Sequence, residues 1–130
     1  MKDIYIISTI HHKWNLKFNL LLCEALEKRG VSVHLPQRDT NQKAQPRVKF
    51  SQNIKAMKNS RIILAVAENE TPNWGAEVGF SHGIGKKIIT LAKSDHFIPL
   101  MCSGMIDKVI RSKNLESFDY ISKLAKIVKK

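Results

Sequence analysis

At 130 residues and 14.8 kDa the chain has the length of one domain. A domain of that size buries about two-thirds of its unfolded surface and needs no disulfide or metal staple. Hydrophobic residues at 43% and charged residues at 25% exclude a disordered or fibrous chain. No run approaches the roughly 20 apolar residues of a membrane span, and MKDIYIISTI lacks the length and cleavage site of a secretion signal, so neither insertion nor export is expected. Lys and Arg number 22 against 11 Asp and Glu, leaving a formal +11 that attracts polyanions or phosphorylated small molecules. Charge alone does not separate a nucleic-acid binder, a nucleotide-binding protein and the product of a lysine-rich proteome. Cys23 among leucines and the distant Cys102 form no CxxC, which fits reduced, buried thiols in a cytoplasmic protein.

Ile4 to Ile10 is β-branched and apolar and reads as a first strand. Trp14, Phe18, Leu21, Leu22, Ala25 and Leu26 then recur at three and four, as in an amphipathic helix. Lys28 and Arg29 suit the negative end of that helix and Gly30 its left-handed cap, after which Val31, Val33 and Leu35 alternate as a second strand up to Pro36. Gln37 to Phe50 is polar and lacks periodicity, so a long loop is expected, with Ser51 capping a short helix that carries Ile54 and Met57. Ile62 to Ala67 is uniformly apolar, the mark of a strand buried on both faces. Glu68 to Trp74 reads as a connection, Gly75 to Ile84 as a helix closed by Gly85, and Ile88 to Ala92 as a fourth strand. An edge strand near Val109 to Arg111 and a last helix bearing Phe118, Ile121, Leu124, Ala125 and Val128 complete the chain.

This βαβαβαβ alternation predicts an α/β fold: a single-domain parallel, flavodoxin- or Rossmann-like sheet over residues 1–130 with helices on both faces. Ligands then sit beyond the carboxyl ends of the strands. The residues placed there are Ser8, Thr9 and His11 after the first strand, Gln37 to Asp39 after the second, and Thr71 to Glu77 after the third. Glu77 is expected in the first turn of its helix, where free amides and the dipole keep a carboxylate ionised and able to act as a nucleophile. From position alone Glu77 reads first as an ordinary helix N-terminal acid, and Tyr5 also fits an ordinary core aromatic.

Tyr5 with Ser8-Thr9-Ile10, then Pro36-Gln37-Arg38-Asp39, then Asn73-Trp74-Gly75-Ala76-Glu77-Val78-Gly79-Phe80 followed by Gly85-Lys86-Lys87, resembles the nucleoside 2-deoxyribosyltransferase-like family, which includes the 2′-deoxynucleoside 5′-phosphate N-hydrolases. The resemblance covers about residues 4 to 115 and is most specific around Glu77. It implies that Glu77 attacks the anomeric carbon of a nucleoside and expels the base, leaving a glycosyl-enzyme that water or a second base resolves, as in a retaining glycosidase. Tyr5 then orients the nucleophile, and Thr9 and His11 hold the sugar 5′-phosphate, with Ser8 and the amides around Gly75 as further donors. Asn53 stands where the family usually places an aspartate near the glycosidic bond. Asparagine has no titratable proton, so protonation of the leaving base falls to Asp39, a histidine or water, or else the protein binds nucleotides without fast turnover. Thr71 stands where family transferases carry an aspartate and family nucleotide hydrolases a small hydroxyl, which favours a 5′-monophosphate. The resemblance implies no cofactor, and a homodimer or larger homo-oligomer in which the segment from Pro99 to Met105, including Met101, completes the neighbouring pocket.

Other chemistries find little support. His11, His12, His34, His82 and His96 show no HExxH or Cys/His ligand spacing, so no metal is expected, and Ser81 and Ser103-Gly104 lack a GxSxG elbow. Lys126 to Lys130 reads as a solvated helix face. Only Trp14 and Phe50 are available to interleave with basic residues, which makes a nucleic-acid partner unlikely beside a small-molecule nucleotide or nucleoside.

Overall fold

A computed structural model describes all 130 residues, Met1–Lys130. Five strands, β1 (Lys2–Ile7), β2 (Val33–His34), β3 (Ser60–Ala67), β4 (Lys87–Lys93) and β5 (Lys108–Ser112), form one parallel sheet in the order β2-β1-β3-β4-β5. Every pairing is parallel, Ile4 lying opposite Val33 on one side and Ile62 on the other. The order reverses between β1 and β3, and the crevice beyond their carboxyl ends is the switch point at which doubly wound folds hold ligands.

Side chains alternate across each strand and both faces are covered. Ile4, Ile6, Ile62, Leu64, Val66, Ile89 and Leu91 pack against α1 (Lys13–Glu27) and α6 (Ile121–Lys129). Tyr5, Ile7, Ile63, Ala65, Ala67, Ile88 and Ala92 face the other way, toward Met57 of α3 (Pro46–Lys58) and Trp74 and Val78 of α4 (Pro72–Gly83). Two short helices, α2 (Pro36–Asp39) and α5 (Leu100–Met105), follow β2 and β4. Gly30 and Gly85 take φ of +79° and +77°, the left-handed conformation expected where α1 and α4 stop.

The differences from expectation lie in the connections. Ser8, Thr9 and Ile10 leave the sheet, because the last β1 pairing joins Ile7 to Ala65. The expected loop from Gln37 to Phe50 is mostly helical: Pro36 and Pro46 each take the first turn of a helix, where a fixed φ and a missing N–H cost nothing. Five residues of α3 therefore precede Ser51, and their polar composition hid them. Phe118 is not on the last helix; it precedes α6 with φ +52° and stacks on Phe18 at 5.5 Å. Both cysteines are free, Cys23 buried but Cys102 only partly so.

Candidate active site

Tyr5 is central to β1 and fully buried, and its side chain points to the α4 face of the sheet. Across that gap its hydroxyl donates to Glu77 Oε1 at 3.1 Å. Trp74 sets the height of α4: it is buried, and its indole N–H donates to the Val66 carbonyl at 2.9 Å, pinning the first turn of the helix to the end of β3. Glu77, three residues on, shares that face of the helix and looks back at Tyr5.

Burial pushes the Glu77 pKa up to about 7, opposed by the hydrogen bond from Tyr5, which favours the ionised form. Burial and the neighbouring carboxylate both raise the Tyr5 pKa, so the phenol remains a protonated donor. The expectation that the helix terminus keeps Glu77 ionised is not met, because burial favours the protonated acid instead. Because α4 starts at Pro72, Glu77 lies in its second turn, beyond reach of the free amides. The N–H groups of Trp74 and Gly75 are both directed at the Thr71 carbonyl, so they are not open donors either. Desolvation and one phenol govern the acid, and burial brings its titration from the acidic range toward neutral pH.

Two compartments meet at Glu77. The smaller, about 100 Å³, is polar and presents Ser8, Thr9, His11, Asn53 and Thr71. The larger, about 470 Å³, within the usual range for a small-molecule site, is walled by Phe50, Ile54, Met57, Ala76 and Phe80. Asn53, Asn73 and Glu77 border both. A carboxylate is thus held between a hydroxyl-rich recess and an apolar slot, an arrangement able to grip a polar group on one side and a flat ring on the other.

The two hydroxyls after β1 are not equivalent. Thr9 Oγ1 gives its proton to the Asn69 carbonyl at 2.7 Å and can offer only lone pairs to a ligand. Ser8 Oγ accepts from Asn15 Nδ2 at 3.2 Å, which leaves its own proton free. Asn15 is fully buried and also bonds the Glu68 carbonyl, while Asn69, with φ +54°, donates to Asn15 Oδ1 at 3.0 Å. These two asparagines tie the loop after β1 to the loop after β3. Sequence pattern did not single them out; an asparagine in the short polar connection Glu68-Asn69-Glu70 is the one available signal, since asparagine tolerates a left-handed backbone.

Two expected ligand contacts are not brought to this wall. Asp39 borders a separate basin beside Lys2 and Lys55, and its carboxylate is occupied by Arg38 and the Leu35 N–H. Burial raises its pKa, but those partners outweigh burial and hold it below the usual carboxylate range, so it is not a proton donor for this site. Gly75 lies inside α4 with its amide engaged. Met101, expected to complete a neighbouring subunit's pocket, stands on α5 and is 71% exposed.

The family model described as nucleoside 2-deoxyribosyltransferase like matches residues 1–94, the span that carries Tyr5, Asn53 and Glu77. The chain belongs to that family. No curated protein sequence matches it. Among solved structures, a 2-deoxyribosyltransferase from the bacterium Bacillus psychrosaccharolyticus superposes with a TM-score of 0.75 at 18% identity, covering 92% of this chain and 93% of that one. A CMP N-glycosidase from Clostridium botulinum gives 0.74 at 19% identity over 95% of this chain and 98% of its own. The TIR domain of a Toll-related receptor from Hydra magnipapillata gives 0.76 at 15% identity over 100% of both chains. Identities this low show a common fold alone, and a fold shared with a receptor domain does not by itself name an activity.

Proposed function

We propose that this protein cleaves the N-glycosidic bond of a (deoxy)nucleoside 5′-monophosphate, with Glu77 as nucleophile and water as the final acceptor. The observation that carries this proposal is the Tyr5–Glu77 hydrogen bond at the junction of a polar and an apolar compartment. The ionised Glu77 carboxylate attacks C1′ while the bond from C1′ to the base nitrogen breaks and its electron pair leaves with the base. Water then attacks C1′ and displaces the Glu77 carboxylate, its proton passing to Glu77 or solvent, which gives the free sugar phosphate with retained configuration. Asn53 has no titratable proton and Asp39 lies in another basin, so the departing base takes its proton from a histidine or water.

The apolar slot suits the base, with Phe50 and Phe80 as the aromatic surfaces available to it. The polar recess suits the phosphate: Ser8 has a free hydroxyl proton, His11 and Thr71 are neighbours, and no carboxylate other than Glu77 borders it. The +11 surface raises the local concentration of any such anion. The Clostridium botulinum neighbour, a CMP N-glycosidase by name, is consistent with this substrate class. Residues 1–130 act as one domain in this proposal, in the cytoplasm and as a homo-oligomer. Phe97, Leu100 and Met101, each more than two-thirds exposed, supply the apolar surface for pairing.

A second function is favoured by Asn53 alone. Without an acid at that position, slow-turnover nucleotide binding would use this pocket, and base exchange between deoxynucleosides, which Asn53 does not favour over hydrolysis, would use it too. Incubating the protein with deoxynucleosides and their 5′-monophosphates, with and without an acceptor base, and following free base by chromatography distinguishes the three. Free base from a monophosphate without acceptor supports the hydrolase. A new nucleoside formed only with acceptor supports the transferase, and binding without release supports the module.

A further inference from the structure

The hydroxyl of Thr40 is almost completely buried and sits between two side chains of quite different elements. It lies 2.7 Å from Asn53 Oδ1, to which it donates, and 3.1 Å from Nε2 of His34 at the end of β2. A threonine hydroxyl has one proton, and here that proton goes to Asn53. His34 must therefore supply the other hydrogen bond from Nε2–H, which fixes its tautomer. The ring of His34 is itself held, stacked on Tyr5 at 5.4 Å with the planes 7° apart. The chain His34 to Thr40 to Asn53 thus has one direction, and it ends on the oxygen of Asn53, where the Thr40 proton takes one of the two lone pairs. The Asn53 amide nitrogen has no protein partner, and Asn53 borders both compartments beside Glu77.

We propose that Thr40 and His34 are positioning residues that lock Asn53 with its amide nitrogen toward the cavity, so that the site recognises a hydrogen-bond acceptor on the leaving base. This rests on the function proposed above and sharpens it. A site with an acid at this position recognises the base by giving it a proton, whereas this one does so by donating a hydrogen bond. The donor is aimed through a residue that a nucleotide need never touch. A free asparagine could present either end of its amide; Thr40 removes that choice, and the ordering is already in place before the ligand arrives.

Thr40→Val keeps the shape and removes the hydroxyl, while Thr40→Ser restores it. With a deoxynucleoside 5′-monophosphate as substrate, kcat/KM should fall about tenfold in Thr40→Val and stay within about twofold of the parent in Thr40→Ser, the loss being of the order of one net hydrogen bond. In an Asn53→Ala background the Thr40→Val penalty should vanish, because Thr40 acts through Asn53, whereas a merely structural loss would persist. A full tenfold penalty in that background, or none in the parent, overturns the proposal. Should the parent release no base at all, the functional proposal fails on its own. The lock is then read by NMR on the side-chain amide of Asn53, whose order parameter should drop in Thr40→Val and recover in Thr40→Ser. An amide equally ordered in all three proteins overturns the lock.

Discussion

The two faces of the sheet are built from the same strands and yet are packed quite differently. On the α1 and α6 face, 21 buried residues form one continuous core, and α6 commits four of its nine residues to it. On the opposite face the buried cluster has 11 residues, and α3 buries only Met57 of its 13. Within β3 alone, Ile62, Leu64 and Val66 point to the first face, while Ile63, Ala65 and Ala67 point to the second. Small side chains on the strand and a thinly buried helix leave room over the second face, and Glu77 and Asn53 occupy the edge of that room. One face stabilises the fold, and the other gives up packing to hold an acid with a raised pKa beside a cavity.

The sharpest way to break this contrast is Glu77→Ala. Base release should fall by at least about a thousandfold, since the nucleophile itself is removed, while the fold persists because Glu77 adds little to the core. Glu77→Gln should be equally inactive, having the shape without the charge. Activity within tenfold of the parent in either variant removes Glu77 as nucleophile. The complementary change on the packed face, Leu124→Ala, should lower stability by about 2–5 kcal/mol and leave the pH dependence of the remaining folded enzyme unchanged. Denaturant unfolding gives the first quantity and a pH–rate profile the second. A shifted profile would mean the faces are coupled.

Much of the packed face was legible in the sequence, and the reason is periodicity. The spacing of Phe18, Leu22 and Leu26, the uniform run through β3 and the stripe of Leu124, Ala125 and Val128 all announce where they are buried. The functional face was legible only where a motif marked it, at Tyr5 and Glu77. The first half of α3 was hidden, because a helix that buries one residue in 13 has no apolar stripe to recognise. The origin of the Glu77 charge state was hidden too: it follows from the packing of α4 on the sheet beside Tyr5 of β1, which no local pattern records. Thr40 and His34 fell in or near a segment expected to be loop, and the hydrogen bond between them is a tertiary fact.

Tyr5→Phe tests the electrostatics of the thin face with a smaller effect. Losing a hydrogen bond to an ionised carboxylate costs about 1.5–3 kcal/mol, or roughly ten- to a hundredfold in rate. The direction of the pH shift is fixed as well. The Tyr5 bond lowers the Glu77 pKa against burial, so its removal should carry the rising limb of the pH–rate profile above the parent's value near 7. A limb that moves to lower pH contradicts this assignment. Stability shows the same acid from the other side. The folded pKa is raised above the ordinary 4.5, so the stability linked to protonated Glu77 is fully present below about pH 4.5 and is lost as pH rises through about 7. Glu77→Gln cannot ionise and should therefore gain on the parent in melting temperature between about pH 5 and 8, with little difference at pH 4. A constant offset across that range would place the acid in water rather than behind Tyr5.

The smallest expected effect is Thr71→Asp, which asks whether the polar recess is built for phosphate. Thr71 is exposed at the N-terminus of α4 and makes no side-chain capping bond there. An aspartate at that position suits the helix dipole and is itself a good cap, so the variant should be at least as stable as the parent, and weaker binding cannot be blamed on unfolding. Its charge would face the phosphate across a partly solvated gap, where repulsion is modest and screened. Affinity for a deoxynucleoside 5′-monophosphate should drop about three- to tenfold while that for the nucleoside stays level, and added salt should narrow the difference. Calorimetric titration of both ligands at two ionic strengths measures all of this. If the nucleoside binds better than its monophosphate before the change and the ratio does not move after it, the recess holds a free 5′-hydroxyl, and base exchange replaces hydrolysis as the activity of this site.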